Sequence, residues 1–358
     1  MTTQADPAVA TPAASVTTAP PAPAGPSSSG PASPGLADTL RDLLKQPGIV
    51  RNVLPLAALV ALIVFFAIRA EAFWSAANFA LISGQAGILL LASLGATLVV
   101  IAGSIDLSVG SIALLTGTVV AYLISSGVTS PILAIVIAVA VGGLIGLLNG
   151  VVFAYGRVPS FIATLGTLSL FAGIGLTILQ GSTINFTDTA IRNLAIGQLI
   201  PNLQNAALIA LIVFAIVWFV SRRTRIGLYT YAVGGNERVV ELAGVATRKV
   251  KVFVLIVSGI TAGLAGLLLT AQLGAAGPTL GSTILLDSVA AIVIGGTALS
   301  GGVGSVARTV LGVLILTVLS NGLNQIGAAD YTQTIIKGLV IVVAAVFTMA
   351  SQRKLIIK

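Results

Sequence analysis

The stretch VVIAGSIDLSVGSIALLTG, Val99 to Gly117, holds a single charge, and that residue, Asp106, is the only charged side chain between Glu71 and Arg157. So long a run with one carboxylate cannot form the outside of a water-soluble domain, in which roughly a quarter of residues are charged. Across the 358-residue chain, charged residues make up 8% and hydrophobic residues 56%. Glycine is plentiful, at 40 residues, as in membrane helices that pack closely. The apolar runs do not alternate polar with apolar as barrel strands do. The sequence therefore predicts an all-α, polytopic membrane protein.

A hydrocarbon core of about 30 Å takes about 20 apolar residues per helix, and residues 53–350 supply about ten such spans. They lie near 53–70, 80–101, 107–126, 131–154, 161–180, 206–220, 252–273, 284–299, 309–325 and 333–350. The eighth is short and glycine-rich, which leaves room for an interruption. With the N-terminus inside, ten spans put both termini and nearly all loop Lys and Arg on the cytoplasmic side, Arg69 and Arg192 excepted. Such a protein lies across a lipid bilayer, with both termini on its cytoplasmic side. Residues 1–36 hold eight of the 14 prolines and one charge, Asp6, the composition of a disordered tail. Residues 37–52 form a short juxtamembrane segment in which Leu40, Leu43 and Leu44 share a side, and residues 351–358 a C-terminal tail.

A faint internal repeat accompanies the spans. DLSVGSIALLTGT from Asp106 resembles DSVAAIVIGGT from Asp287, and LNG at 148–150 resembles SNG at 320–322. Both pairs are five spans apart, so the two halves face opposite ways. Inverted repeats of this kind place a transport pathway between the halves.

The chain has no cysteine and no histidine, which removes disulfides, thiol chemistry, histidine catalysis and most zinc and haem sites. Its net charge of +8 is spread over loops between apolar spans, which fits membrane orientation rather than nucleic acid. The nearest string to a phosphate-cradling loop is GVGSVART, Gly302 to Thr309, with Ala307 and Arg308 where glycine and lysine are required. An ATP-driven activity would thus need another chain, and no cofactor or metal is expected on this one.

Asp106 opens DLSVGSIALL, so it is placed to cap the third span near the cytoplasmic side; a role in a pathway or gate is the other reading. Uncharged polar residues inside spans commonly bond helix to helix, and they also suit a pathway for a neutral solute. Gln85, Asn149 and Asn321 are the candidates. Lys337, inside TQTIIKGLV, snorkels or pairs with a nearby carboxylate.

The one large loop, residues 221–251, holds seven of the 18 Lys and Arg and a short helix signature. Gly234 and Gly235 break the chain, Asn236 can cap, Glu237 suits the positive N-terminus, and Gly244 can end the helix. Arg238 and Glu241 are its other charges, while Val239, Val240, Leu242 and Ala243 give it an apolar side. It is either a solvated loop that holds topology or a docking helix for a cytoplasmic partner.

From Val53 onward the chain resembles the membrane-spanning permease subunit of bacterial ATP-binding cassette (ABC) importers of the ribose and monosaccharide type. The motifs are GSIDLSVGS at 103–111, GRVPSFIATL at 156–165, YAVGGNERVVELAGV at 231–245, GGTALSGGVGS at 295–305 and NGLNQIG at 321–327. The resemblance implies a type II-like permease working by alternating access. Its partners would be a second permease subunit, expected to be identical, a cytoplasmic ABC ATPase that binds ATP and Mg, and an extracytoplasmic sugar-binding protein. It also implies that 234–244 engages the ATPase. Ser104 and Arg308 stand where the family commonly has glycine, and Val303 and Ser305 where a basic residue is frequent. An ion-coupled secondary transporter of a small polar solute is the alternative.

Overall fold

A helix occupies each of the ten stretches that the apolar runs predict. The structure, a computed structural model, describes residues 47–128 and 130–356. The expected tail and most of the juxtamembrane segment lie outside the described residues. The long elements are α1 (Pro47–Arg69), α2 (Ala76–Ile101), α3 (Val109–Ser125), α4 (Pro131–Gly156) and α5 (Ser160–Leu179). A short helix α6 (Thr189–Ile196) precedes α7 (Asn205–Arg223), α8 (Arg225–Leu242), α9 (Thr247–Leu273), α10 (Ile284–Ile294), α11 (Val306–Gln325) and α12 (Asp330–Ile356). Two two-residue strands, β1 (Ile184–Asn185) and β2 (Ala275–Ala276), pair antiparallel.

Six of these, α2, α4, α5, α7, α9 and α11, are long and apolar enough to cross a membrane. They form two layers. The apolar windows of α2, α9 and α11 are 89%, 67% and 67% buried, those of α4, α5 and α7 only 28% each. The first three make the centre and the others the periphery. At 26 to 27 residues, α2, α4 and α9 each run about 40 Å. By contrast, α3 has 17 residues and α10 only 11. The eighth span was expected to reach residue 299. It stops at Ile294, because Gly295 and Gly296 follow and Gly296 adopts φ +76°.

Two further expectations are corrected. Residues 221–251 are mostly helical: α8 starts at Arg225, capped by Thr224, whose hydroxyl oxygen accepts the Gly227 N–H at 3.3 Å. Helical hydrogen bonding needs no apolar stripe, and RIGLYTYAVGG shows none. The pairing of Asp106 with Asp287 is not a match of place. Asp106 precedes α3 by three residues, whereas Asp287 sits in the first turn of α10.

Helix α9 is the hub, and glycine lets its neighbours reach it. Along α4, Gly142, Gly146 and Gly150 recur every fourth residue and face α9. A methyl on Gly142 would overlap the carbonyl oxygen of Gly259, and one on Gly259 the carbonyl oxygen of Gly142. This is small-residue packing, which drives helices together where lipid supplies no hydrophobic force. Gly95 of α2 approaches Ser258 and Thr261 of α9 in the same way.

The end of the bundle where α7 meets α8 and α9 begins carries Arg222, Arg223, Arg225, Arg248, Lys249 and Lys251; it is termed the basic end here. Overpacking typically costs about 1–3 kcal/mol, and at Gly259 the new atom meets backbone that cannot rotate away. Gly259→Ala is therefore expected to lower the melting temperature of the detergent-solubilised protein. Gly166→Ala, whose added methyl meets nothing within 4 Å, should leave it unchanged in the same melt.

Candidate functional site

After α2 the chain turns back into the bundle, and Asp106 follows this reversal. It was expected near one membrane surface as a helix cap. Its Oδ2 accepts the hydroxyl of Ser258 at 2.7 Å, and Ser258 lies 11 residues into α9, about 16 Å along that helix. The cap position of α3 belongs to Ser108. Asp106 Oδ1 accepts both the Ser108 N–H at 2.9 Å and the Ser108 hydroxyl at 2.5 Å, an aspartate-turn arrangement one residue ahead of the helix.

The bonds continue outward. Asn149 of α4 donates from Nδ2 to Ser108 Oγ at 2.8 Å, and Thr167 of α5 donates its hydroxyl to Asn149 Oδ1 at 2.7 Å. The bonds of this series all run towards Asp106, whose two side-chain oxygens take the bonds from Ser108 and Ser258. Asp106 is 5% exposed, and Ser108, Asn149 and Ser258 are 0%. An isolated charge there would be prohibitive, so the three donors are what make the position tenable. The reversal itself is held by α5. Ser160 Oγ accepts the Ile105 N–H at 3.1 Å, and the Thr164 hydroxyl lies 3.3 Å from the Ile105 carbonyl. This gives the GRVPSFIATL motif a physical task.

The four pathway candidates do not meet. Asp106 and Asn149 share the cluster just described. Asn321 lies at the far end of α11, where its Nδ2 donates to Asn78 Oδ1 at 2.9 Å, as does Gln325 Nε2, also at 2.9 Å. Gln85 is half-buried on α2, and its side chain makes no hydrogen bond among the described residues. Ser108 and Ser258 went unrecognised in the sequence. The DLS spacing was a legible sign of the first; nothing local marked the second. Lys337 pairs with Asp287 at 3.2 Å, joining α12 to α10. No group of acidic side chains able to hold a metal occurs among the described residues.

The second site is the end of α8. The helix breaks at Asn236 (φ −163°, ψ 96°), and Asn236 Oδ1 accepts the Val239 N–H at 3.1 Å, an N-cap. Gly244, at φ +82°, closes it, with the Val245 N–H bonded to the Val240 carbonyl at 3.2 Å. The single apolar side expected for this helix is divided. Val240 turns inward onto Val233 and Val250, while Val239 and Leu242 are 59% and 77% exposed and Ala243 is exposed with them. At about 100° per residue, positions three and four apart share a face and neighbours do not.

Two carboxylates fasten this helix to the bundle. Glu237 pairs with Lys251 at 2.6 Å, whose ammonium sits 4.6 Å from the Phe153 ring centre. Glu241 accepts the Thr247 hydroxyl at 3.1 Å and lies 3.5 Å from the exposed Arg238. Gly234 is packed into the protein, whereas Gly235 faces open space. Burial pushes the Tyr231 phenol above its ordinary pKa, an effect that Arg222 and Arg308 oppose, so the phenol is a donor at neutral pH. It lies 3.4 Å from the Gly304 carbonyl.

Together these features describe a polytopic helical membrane protein with a buried polar reversal and a capped helix presented at the basic end. Residues 78–345 match the family of branched-chain amino acid transport system / permease components, and the chain belongs to that family. It is 40% identical to the ribose import permease protein RbsC of Haemophilus influenzae, over 80% of this chain and 90% of the relative. It is 36% identical to RbsC of Bacillus subtilis, over 83% and 92%. The D-allose transport system permease protein AlsC of Escherichia coli is 35% identical, over 81% and 88%. No solved structure matches.

The geometry separates two substitutions at Asp106. Asp106→Asn keeps one acceptor oxygen for Ser108, and its new amide can donate to Ser258 once that hydroxyl turns. Asp106→Leu strands three donors, at about 1–3 kcal/mol for each buried group left unpaired. Melting curves in detergent should show a small shift for the first and loss of the folded fraction for the second.

Proposed function

We propose that the chain is the membrane-spanning subunit of an ABC importer that carries a monosaccharide, ribose or a close relative of it, across a bacterial cytoplasmic membrane. The observation that carries this reading is the capped helix Asn236–Leu242. A purely solvated loop has no reason to present Val239 and Leu242 outward while Glu237 and Glu241 fix the helix to α9. That arrangement suits a groove on a separate ATPase, and the chain itself carries no phosphate-binding loop. The relatives named for ribose and allose import support a sugar as the solute.

In this reading the basic end faces the cytoplasm, as the distribution of Lys and Arg favours, and both termini lie there. A sugar-binding protein delivers solute at the opposite face, where β1, β2 and α6 lie. Two copies of the chain enclose the pathway. ATP binding draws the ATPase pair together, the docked helices move with it, and the spans exchange access from one side to the other. ATP and Mg stay on the ATPase. An ion-coupled carrier is the weaker reading, because Lys337, well inside a span, is already engaged by Asp287.

Val239→Glu combined with Leu242→Glu places charges where an apolar contact is required, and the loss of such an anchor typically costs about 2 kcal/mol or more. The double variant should keep its melting temperature, fail to copurify with its cognate ATPase, and lose ATP-dependent uptake of labelled ribose in vesicles containing the binding protein. Undiminished uptake after deletion of residues 236–243 would overturn the proposal.

A further inference from the structure

Three backbone segments distant in sequence meet at the basic end with no side chains between them. The first is the turn after α2, Ile101–Ser104. The second is the last helical turn of α8 before its break, Gly234–Gly235. The third is the turn between α10 and α11, which contains Gly301 and Gly302. The Gly302 N–H donates to the Ile101 carbonyl at 2.8 Å. A methyl on Gly234 would overlap the Ile101 carbonyl oxygen and lie 2.5 Å from the Gly302 nitrogen. One on Gly301 would lie 2.6 Å from Gly103 Cα and 2.8 Å from the Gly234 carbonyl oxygen. Gly103, Gly301 and Gly302 adopt φ of +75°, +85° and +71°, a region costly for any residue with a Cβ.

The third segment is internally braced. The Ala298 N–H donates to the Val303 carbonyl at 2.8 Å, and the Gly301 N–H returns to the Ala298 carbonyl at 3.1 Å. Tyr231 adds a second link from α8, through its phenol to the Gly304 carbonyl. Backbone packed on backbone has no rotamers with which to absorb a displacement, and close-packed interiors transmit strain.

We propose that the turn Ala298–Gly304 is a relay that passes movement of the docked helix to α3 and α10. On one side it meets the Ile101–Gly103 turn, which leads through Asp106 into α3. On the other it is continuous with α10 and α11. Gly234 is the positioning residue of this relay: although it opens the segment 234–244, it lies before the break at Asn236 and packs on Ile101 and Gly302, away from the exposed face of Val239 and Leu242, so Gly234→Ala acts as a wedge among the three segments while that face is kept. The GGTALSGGVGS motif, which the docking contact does not explain, then has a role.

The relay rests on the ABC-importer reading. The test therefore compares whole transporters, wild type and Gly234→Ala, with cognate ATPase and binding protein in vesicles. The quantity read is sugar imported per ATP hydrolysed. The expected result is copurification with the ATPase and continued hydrolysis, with that ratio reduced about fivefold or more; Gly166→Ala should retain the wild-type ratio. A Gly234→Ala ratio equal to wild type would overturn the relay. A wild-type complex that imports without ATP would instead overturn the function on which it rests. If Gly234→Ala does not accumulate, hydrogen exchange on the wild-type complex decides. ATP binding should alter exchange in 100–106 and 296–305 together with 232–242, and a change confined to 232–242 would refute the relay.

Discussion

The bundle depends on one contact, the touching backbones of α4 and α9 at Gly142 and Gly259. Lipid tails are as apolar as leucine, so burying leucine between helices gains little in a membrane. What holds helices there is the dispersion and polar contact that opens when backbones come close. That closeness also sets the register of everything nearby. Ser258 immediately precedes Gly259, and Asn149 lies seven residues after Gly142, on the same two helices. The contact that joins α4 to α9 thus delivers, from both sides, the groups that reach Asp106 and Ser108.

The polar cluster has the opposite character to the glycine contact, and the two are complementary. Close backbone packing is strong but has little direction. Hydrogen bonds to a carboxylate are directional, and stranding one of their donors is expensive. Around Asp106 they link the start of α3 to α4, α5 and α9, so one residue specifies how four elements meet. Two pairs of charges also join elements. Lys337 with Asp287 joins α12 to α10 inside the bundle, and Glu237 with Lys251 ties the end of α8 to α9 at its edge. The inner pair is 20% exposed on each side, whereas Glu237 is 38% exposed, so added salt screens the outer pair more.

Much of this was legible in the sequence because composition and span length are strong signals. The scarcity of charge from Glu71 to Arg157 determined the class, and each of the ten spans has its helix. The break and cap around Asn236 were readable because the required residues are adjacent: two glycines, an asparagine and a closing glycine. The rest was not readable, for a physical reason. Asp106 was expected to cap α3, since a carboxylate ahead of an apolar run favours that reading, but its partner Ser258 is 152 positions away and nothing local marks it. The first part of α8 was missed because its stability comes from a threonine cap and from packing at Gly227 and Val233 rather than from an apolar stripe. Gln85, Asn149 and Asn321 look alike as polar residues in spans. Only the fold sends them to different places.

The two short helices follow from a constraint on backbone. Away from water, every N–H and C=O needs a protein partner, so non-helical chain inside a membrane protein is tolerated only where other segments supply one. The reversal after α2 meets this condition through Ser160 and Thr164 of α5 and through the Ser104 N–H bonded back to the Val99 carbonyl at 3.0 Å. The turn after α10 meets it through the Gly302 N–H on Ile101. Each reversal therefore spends its hydrogen bonds on its neighbours, and neither can shift without disturbing the other or the end of α8. A bundle of uninterrupted helices satisfies its backbone helix by helix, and its parts can move independently. Interrupting two of them makes the satisfaction of their ends a shared property of the basic end, so movement there reaches the polar interior.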